Sequence, residues 1–159
     1  MNKIKKKEIV LILENIRSAE NVGSIFRTAD AVGVSKIYLV GYTPDPVDRF
    51  GKPQKGVVKA SLGAEKSIPW EHHTTITSLI KKLKKDSFEI VSLEQSEKSI
   101  PYTKYTAKKC ALVLGNEVTG VSQKTLNSSD VIIEISMNGE KESLNVSVAT
   151  GEALFQLIQ

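Results

Sequence analysis

The sequence predicts an α/β domain, a mainly parallel sheet flanked by helices, and three observations predict it. Five short runs, Ile9–Leu13, Ile37–Val40, Phe88–Leu93, Ala111–Leu114 and Val131–Ile135, are rich in Ile, Val and Leu and barely alternate. Continuous apolar runs of this length fit strands buried on both faces of a parallel sheet. Helical spacing of apolar residues fills the gaps between them, and strand alternating with helix is the α/β pattern. Periodicity alone therefore leads to an open, doubly wound sheet.

Taken in order, Ile9–Leu13 opens the sheet. Ala19–Val32 follows as a helix with Val22, Ile25, Phe26, Ala29 and Val32 on one face. After Ile37–Val40, residues 41–56 carry Pro44, Pro46, Pro53 and three glycines, and read as a long loop. Long loops in compact domains tend to be functional. Thr75–Lys85 is a second helix with Ile76, Leu79, Ile80 and Leu83 inward. Ser122–Leu126 makes a short helical turn. Val146–Ile158 is the last helix, with Val148, Leu154, Phe155 and Ile158 as its buried stripe.

A chain of 159 residues is expected to be one domain. With 40% apolar and 25% charged residues it falls among soluble globular proteins. Cys110 is the only cysteine, which excludes an internal disulfide and a cysteine-rich zinc site and suits the cytoplasm. The apolar run Ile9–Leu13 is far too short to span a bilayer. Net charge is +4, which suits a polyanionic partner. The lysines cluster in a basic tail (residues 1–7, with Lys3, Lys5, Lys6 and Lys7), at Lys81, Lys82, Lys84 and Lys85, and at Lys108 and Lys109. Each cluster reads as a solvated face or as a phosphate-contacting surface. His72 and His73 stand in a loop beside Trp70 without a third ligand, so no metal is expected.

Three motifs carry candidate chemistry. In "ENIRSAENVGSIFRTADAVGV", Asn21 and Gly23 start a helix just after a strand. Gly23 permits close approach of backbone or ligand, and Arg27 points away from the apolar stripe. Arg27 is either solvated or placed to grip a phosphate in bidentate fashion. In "ALVLGNEVTGVS", Gly115 and Gly120 bound a loop at the carboxyl end of a strand, where open α/β sheets bind ligands. Val121 replaces the lysine of a P-loop, which argues against a nucleoside triphosphate. Glu117, within that loop, holds ribose hydroxyls, orders a neighbour, or faces water. In "MNGEKESLNVSVATGEALFQLIQ", Ser143, Asn145 and Ser147 alternate, suggesting an extended segment with one polar face before the last helix. A helix N-cap accounts for one of these residues.

Together these motifs resemble the SpoU (TrmH-like) family of the SPOUT RNA 2'-O-ribose methyltransferases, over about Ile9 to Ile158. The resemblance rests on Asn21-x-Gly23-x-x-x-Arg27-x-Ala29, on Leu114-Gly115-Asn116-Glu117 with Gly120, and on Ile133-x-Ile135-x-Met137-x-Gly139 followed by Ser143-Leu144-Asn145-Val146-Ser147-Val148-Ala149. "SLGAEKSIPW" and "SLEQSEKS" are similar to the family's linking stretches. Ser136 departs from the family's usual proline.

The resemblance implies a C-terminal trefoil knot, a rarity among folds. It implies S-adenosyl-L-methionine as cofactor, with backbone at Gly115, Ile135 and Leu144 holding it and Leu93, Leu114 and Met137 lining its site. It implies methyl transfer to a ribose 2'-hydroxyl of tRNA or rRNA, with Arg27, Asn21, Glu117, Ser143 and Asn145 as catalytic residues. Asn21 and Glu117 are expected to fix the orientation of Arg27 and the ribose. A homodimer is implied, and no separate N-terminal RNA-binding domain is expected. Substrate grip then falls to the basic tail, Arg49, Lys52, Lys55 and Lys59. The alternative is a catalytically silent RNA-binding or assembly protein of the same fold. A relative methylating a base nitrogen fits the Asn21–Arg27 motif less well.

Overall fold

The computed structural model describes residues 6–159. Its seven-stranded sheet is parallel throughout and ordered β3-β2-β1-β6-β4-β7-β5. The strands are β1 (Glu8–Glu14), β2 (Lys36–Val40), β3 (Trp70–His73), β4 (Glu89–Leu93), β5 (Ile100–Pro101), β6 (Lys109–Leu114) and β7 (Val131–Glu134). The central strands are β1 and β6, paired from Glu8↔Lys109 to Leu13↔Leu114. Both are covered on two sides. Leu11, Leu13 and Leu112 join one core cluster, while Val10, Ile12 and Val113 join the other. That double burial is why these runs do not alternate.

The first core lies beneath α1 (Ala19–Val32), α2 (Lys55–Ser61), α3 (Ala64–Ser67) and α6 (Val146–Leu157). The second lies beneath α4 (Ile76–Lys85) and α5 (Gln123–Ser128). Helix α1 is capped at Ser18, whose side chain accepts from the Asn21 amide. It ends at Gly33 with φ 87°, a left-handed cap that favours glycine. Val22, Ile25, Phe26 and Ala29 are buried as their spacing predicts. Gly23 packs on α2 so closely that an added Cβ would lie 2.3 Å from the Val57 carbonyl oxygen. The close approach it permits is therefore to backbone. Among the described residues no helix is long and apolar enough to cross a membrane.

Three expectations need correction. The stripe assigned to the last helix holds only at Leu154: Val148, Phe155 and Ile158 are 57%, 52% and 38% exposed, while Thr150, Ala153 and Leu157 join Leu154 in the core. Apolar residues lie on more than one side of α6. The side that packs offers small Ala153 for close approach to the core. His72 and His73 lie on β3, not in a loop; this edge strand reads poorly because Trp-Glu-His-His lacks an apolar run. Finally, residues 41–56 are not wholly loop, since α2 begins at Lys55, capped by the Gln54 side chain at the Gly56 amide.

The basic tail divides. Lys3 and Lys5 lie outside the described residues. Lys7 donates to the carbonyl of Leu157 at 3.0 Å and also to that of Gln159, so its ammonium caps the end of α6.

Candidate active site

The carboxyl ends of β4, β6 and β7 open into one cleft of about 220 Å³. Leu93, Leu114, Gly115, Ile135, Met137 and Leu144 all line it. Val146 and Ala149 of α6 complete an apolar wall, and Ser143 joins the rim. Among the described residues three carboxylates, Glu94, Glu117 and Glu134, also line the cleft, whereas no lysine or arginine does. Such a lining suits an apolar body carrying positive charge and disfavours a polyphosphate.

Residues 115–121 form a strap over one side. It is closed by an antiparallel bridge, with the Asn116 amide donating to the Gly120 carbonyl at 3.1 Å and the reverse bond at 2.9 Å. Asn116 Oδ1 accepts from the amides of Val118 and Thr119 at 2.8 and 2.9 Å. Asn116 Nδ2 donates to the Asn15 carbonyl at 3.0 Å, fastening the strap to the end of β1. Glu94 Oε2 accepts from the Val121 amide at 3.0 Å. Gly115 must be glycine, because a Cβ there would fall 2.2 Å from the Val121 nitrogen. Asn116 and Glu94 carry this architecture, and no role was assigned to either from sequence. An asparagine two residues past the end of a strand, inside a glycine-bounded loop, is the readable signal for the first.

Glu117 reaches from the strap to the start of α1. Its two oxygens accept from the Arg17 and Ser18 amides, both at 2.8 Å, and Oε2 also accepts from Asn21 Nδ2 at 3.2 Å. Partial burial pushes its carboxyl pKa up, but the bonds from the Arg17 and Ser18 amides outweigh this and hold it below the ordinary value. A carboxylate at a helix N-terminus is further favoured by the helix dipole. Of the three roles open to Glu117, the structure therefore shows it ordering its neighbours.

Asn145 caps α6. Its Oδ1 accepts from the Ser147 amide at 2.9 Å and from the Ser147 hydroxyl at 2.6 Å. Its Nδ2 donates to Asn21 Oδ1 at 3.3 Å. The alternation of Ser143, Asn145 and Ser147 thus has a local cause: the chain is extended to Asn145, then turns into the helix over Ser147. Glu117, Asn21 and Asn145 form one chain of hydrogen bonds joining the three motifs.

Arg27 is not brought into that chain. It lies six residues beyond Asn21, about 9 Å further along the helix axis. It is exposed and makes no hydrogen bond or ion pair among the described residues. Within this chain, therefore, neither Asn21 nor Glu117 touches Arg27 by a hydrogen bond or ion pair.

Residues 8–155 match the SpoU rRNA Methylase family. The chain belongs to that family. It is 32% identical over 153 residues to the 23S rRNA (guanosine-2'-O-)-methyltransferase RlmB of Xanthomonas axonopodis pv. citri, an alignment covering 96% of this chain and 59% of that protein. Among solved structures, the AdoMet-bound rRNA methyltransferase from Sinorhizobium meliloti superposes with a TM-score of 0.84 at 29% identity, covering 96% of this chain and 56% of that one. The A. aeolicus TrmH/SpoU tRNA modifying enzyme superposes with a TM-score of 0.80 at 30% identity, covering 96% and 76%. The chain spans 58% to 65% of the length of the first curated relatives it matches.

Proposed function

We propose that the protein is an S-adenosyl-L-methionine-dependent methyltransferase acting on a ribose 2'-hydroxyl of tRNA or rRNA. The observation that carries this reading is the lining of the cleft. Six residues implied to hold the cofactor meet there, with three carboxylates and, among the described residues, no cationic side chain. The apolar walls would take the adenosine out of water, and the carboxylates favour a ligand with positive charge. When bound, S-adenosyl-L-methionine supplies an activated, sulfonium-borne methyl group.

What the chain itself does is bind, align and neutralise. Glu117, Asn21 and Asn145 fix the strap, α1 and α6 relative to one another, and Ser143 and Asn145 face the reaction centre. Alignment at near-attack distance removes much of the entropic cost of the transfer. Arg27 presents a planar, forked guanidinium. Its forked donors suit a substrate phosphate, and its charge stabilises the oxygen that becomes negative as the hydroxyl loses its proton.

The knot and the dimer belong to the same reading. Strand β7 lies between β4 and β5, inside the loop that runs from β4 through β5 and back to β6. Beyond it, α6 emerges against α1 and against the 3-10 turn at Tyr102–Lys104, where the Tyr102 hydroxyl donates to Glu152 Oε1 at 2.5 Å. This passage supports a trefoil knot. The exposed Val148 and Phe155 line a groove with Ser24 and Thr28 of α1. An apolar stripe beside the helix that carries Arg27 supports a homodimer in which one subunit's arginine serves the other's cleft. Sedimentation equilibrium should return twice the monomer mass, and Phe155→Glu should return the monomer.

The function is tested by incubating the protein with labelled S-adenosyl-L-methionine and separated pools of tRNA and rRNA, then mapping new 2'-O-methyl groups. The expected result is label at discrete riboses of one pool. Cofactor binding without transfer to either pool would return the silent RNA-binding reading.

A further inference from the structure

A second cavity, of about 570 Å³, opens on the far side of the strap. Residues Asn116–Thr119 wall both cavities, so whatever occupies the second lies against the first. Its other walls are Arg17–Glu20 at the start of α1, and Tyr42.

The chemistry of this cavity differs from that of the cleft. Tyr42 is 62% exposed, yet it is held at two points. Its hydroxyl accepts from Asn116 Nδ2 at 2.9 Å, and its amide donates to Asn15 Oδ1 at 3.2 Å. The turn beneath it is shaped for this. Asn15 and Gly41 both have positive φ, at 54° and 67°, and a Cβ on Gly41 would fall 1.9 Å from Asn15 Oδ1. The ring is thus fixed at both ends while most of its surface is open. Val118, 88% exposed, stands at the tip of the strap. Arg17 spends its amide on Glu117, and its exposed side chain makes no hydrogen bond or ion pair among the described residues. An immobilised open ring, an apolar neighbour and an uncommitted guanidinium match a nucleobase and its phosphate. A second copy of a cationic methyl donor fits poorly beside Arg17.

We propose that this cavity binds one nucleotide of the RNA, its base stacked on Tyr42 and Val118 and its phosphate on Arg17. Glu20, at the rim, offers a carboxylate to the amino edge of a base. The inference rests on the proposed RNA methyltransferase function and deepens it, making Tyr42 a residue that selects which nucleotide sits next to the reacting ribose.

Two measurements on the full chain test it, with total bacterial RNA as the probe. Ultraviolet crosslinking followed by mass spectrometry is expected to place a nucleotide adduct on the peptide containing Tyr42 or on that containing Val118. In the methyl-transfer assay, Tyr42→Leu should raise the KM for RNA about tenfold or more, the loss falling on KM rather than on kcat. Tyr42→Phe, which keeps the ring, should recover most of it, and cofactor affinity by equilibrium dialysis should not move. Adducts mapping only elsewhere, or an unchanged KM in Tyr42→Leu, would overturn the inference. Should the unaltered protein transfer no methyl group, the broader reading fails, and the crosslink alone then decides whether the cavity binds RNA.

Discussion

Glu117 and Arg27 are the two charged residues on which the proposed reaction leans most, and the fold holds them in opposite ways. Glu117 is tied by two backbone amides and the Asn21 side chain. Arg27, on the same helix as Asn21, stands in solvent with no partner among the described residues. The carboxylate is part of what holds the fold together, and among the described residues the guanidinium takes no part in that. A group that is finished within the fold costs stability when removed. A group reserved for a ligand or a second subunit costs function alone.

The sharpest way to break this comparison is to remove Arg27. Arg27→Ala should lower methyl transfer by on the order of 10²–10³-fold, the scale of losing one charge-stabilising donor. Its thermal midpoint and cofactor affinity should match those of the unaltered protein. A clear drop in the midpoint would mean that Arg27 has structural contacts and that the contrast is false. Glu117→Ala should do the reverse. Two amides at the start of α1 lose their acceptor, which costs about 1–3 kcal/mol in denaturant unfolding. Activity falls as well, because the strap loses its tie to α1.

How much of this was open to the sequence follows from the range of the interactions involved. Strands β1, β2, β4, β6 and β7 announce themselves because each is an apolar run whose burial is decided locally. Strand β5 does not, since Ile100–Pro101 is two residues long and one of them is proline. Helix α2 is hidden by Gly56, Val57 and Val58, poor helix formers. It exists because α1 offers Gly23 as a flat surface to dock on. Of the cleft residues, Gly115, Glu117, Gly120 and Ser143 stand out from their own pattern, whereas Leu93, Ile135, Met137 and Leu144 are legible only through the resemblance. Tyr42 could not be singled out at all. Its importance lies in Asn116, 74 positions away, and no spacing rule connects them. The last helix misled for a related reason: the apolar residues Val148 and Phe155 look like core to any periodicity argument, and only the packed structure shows them facing outward.

Asn145 sharpens the contrast at smaller scale, because it has two separable jobs. Asn145→Ala removes the cap of α6 and should cost about 1 kcal/mol. Asn145→Asp keeps an acceptor for the Ser147 amide but cannot donate to Asn21 Oδ1. The aspartate variant should therefore regain most of the stability and little of the activity. Equal recovery of both would show that the link between Asn21 and Asn145 has no part in the reaction.

The gentlest probe is proton concentration. The Glu117 carboxyl titrates below its ordinary value in the folded protein, because the amide bonds it accepts outweigh the opposing effect of burial. In the unfolded chain those bonds are absent, so its pKa returns to about 4.3. A lowered folded pKa means that the charged form stabilises the fold above the unfolded value. This contribution disappears as pH falls through the folded one. The difference in unfolding free energy between the unaltered protein and Glu117→Gln should therefore be constant near neutrality and shrink on acidification below about pH 4. Arg27→Gln should show no such pH-dependent difference, since Arg27 has no partner among the described residues whose loss would register in stability. A shrinking difference for both variants would place the acid sensitivity in the rest of the fold, and with it the claim that Glu117 alone of the two is structural would fall.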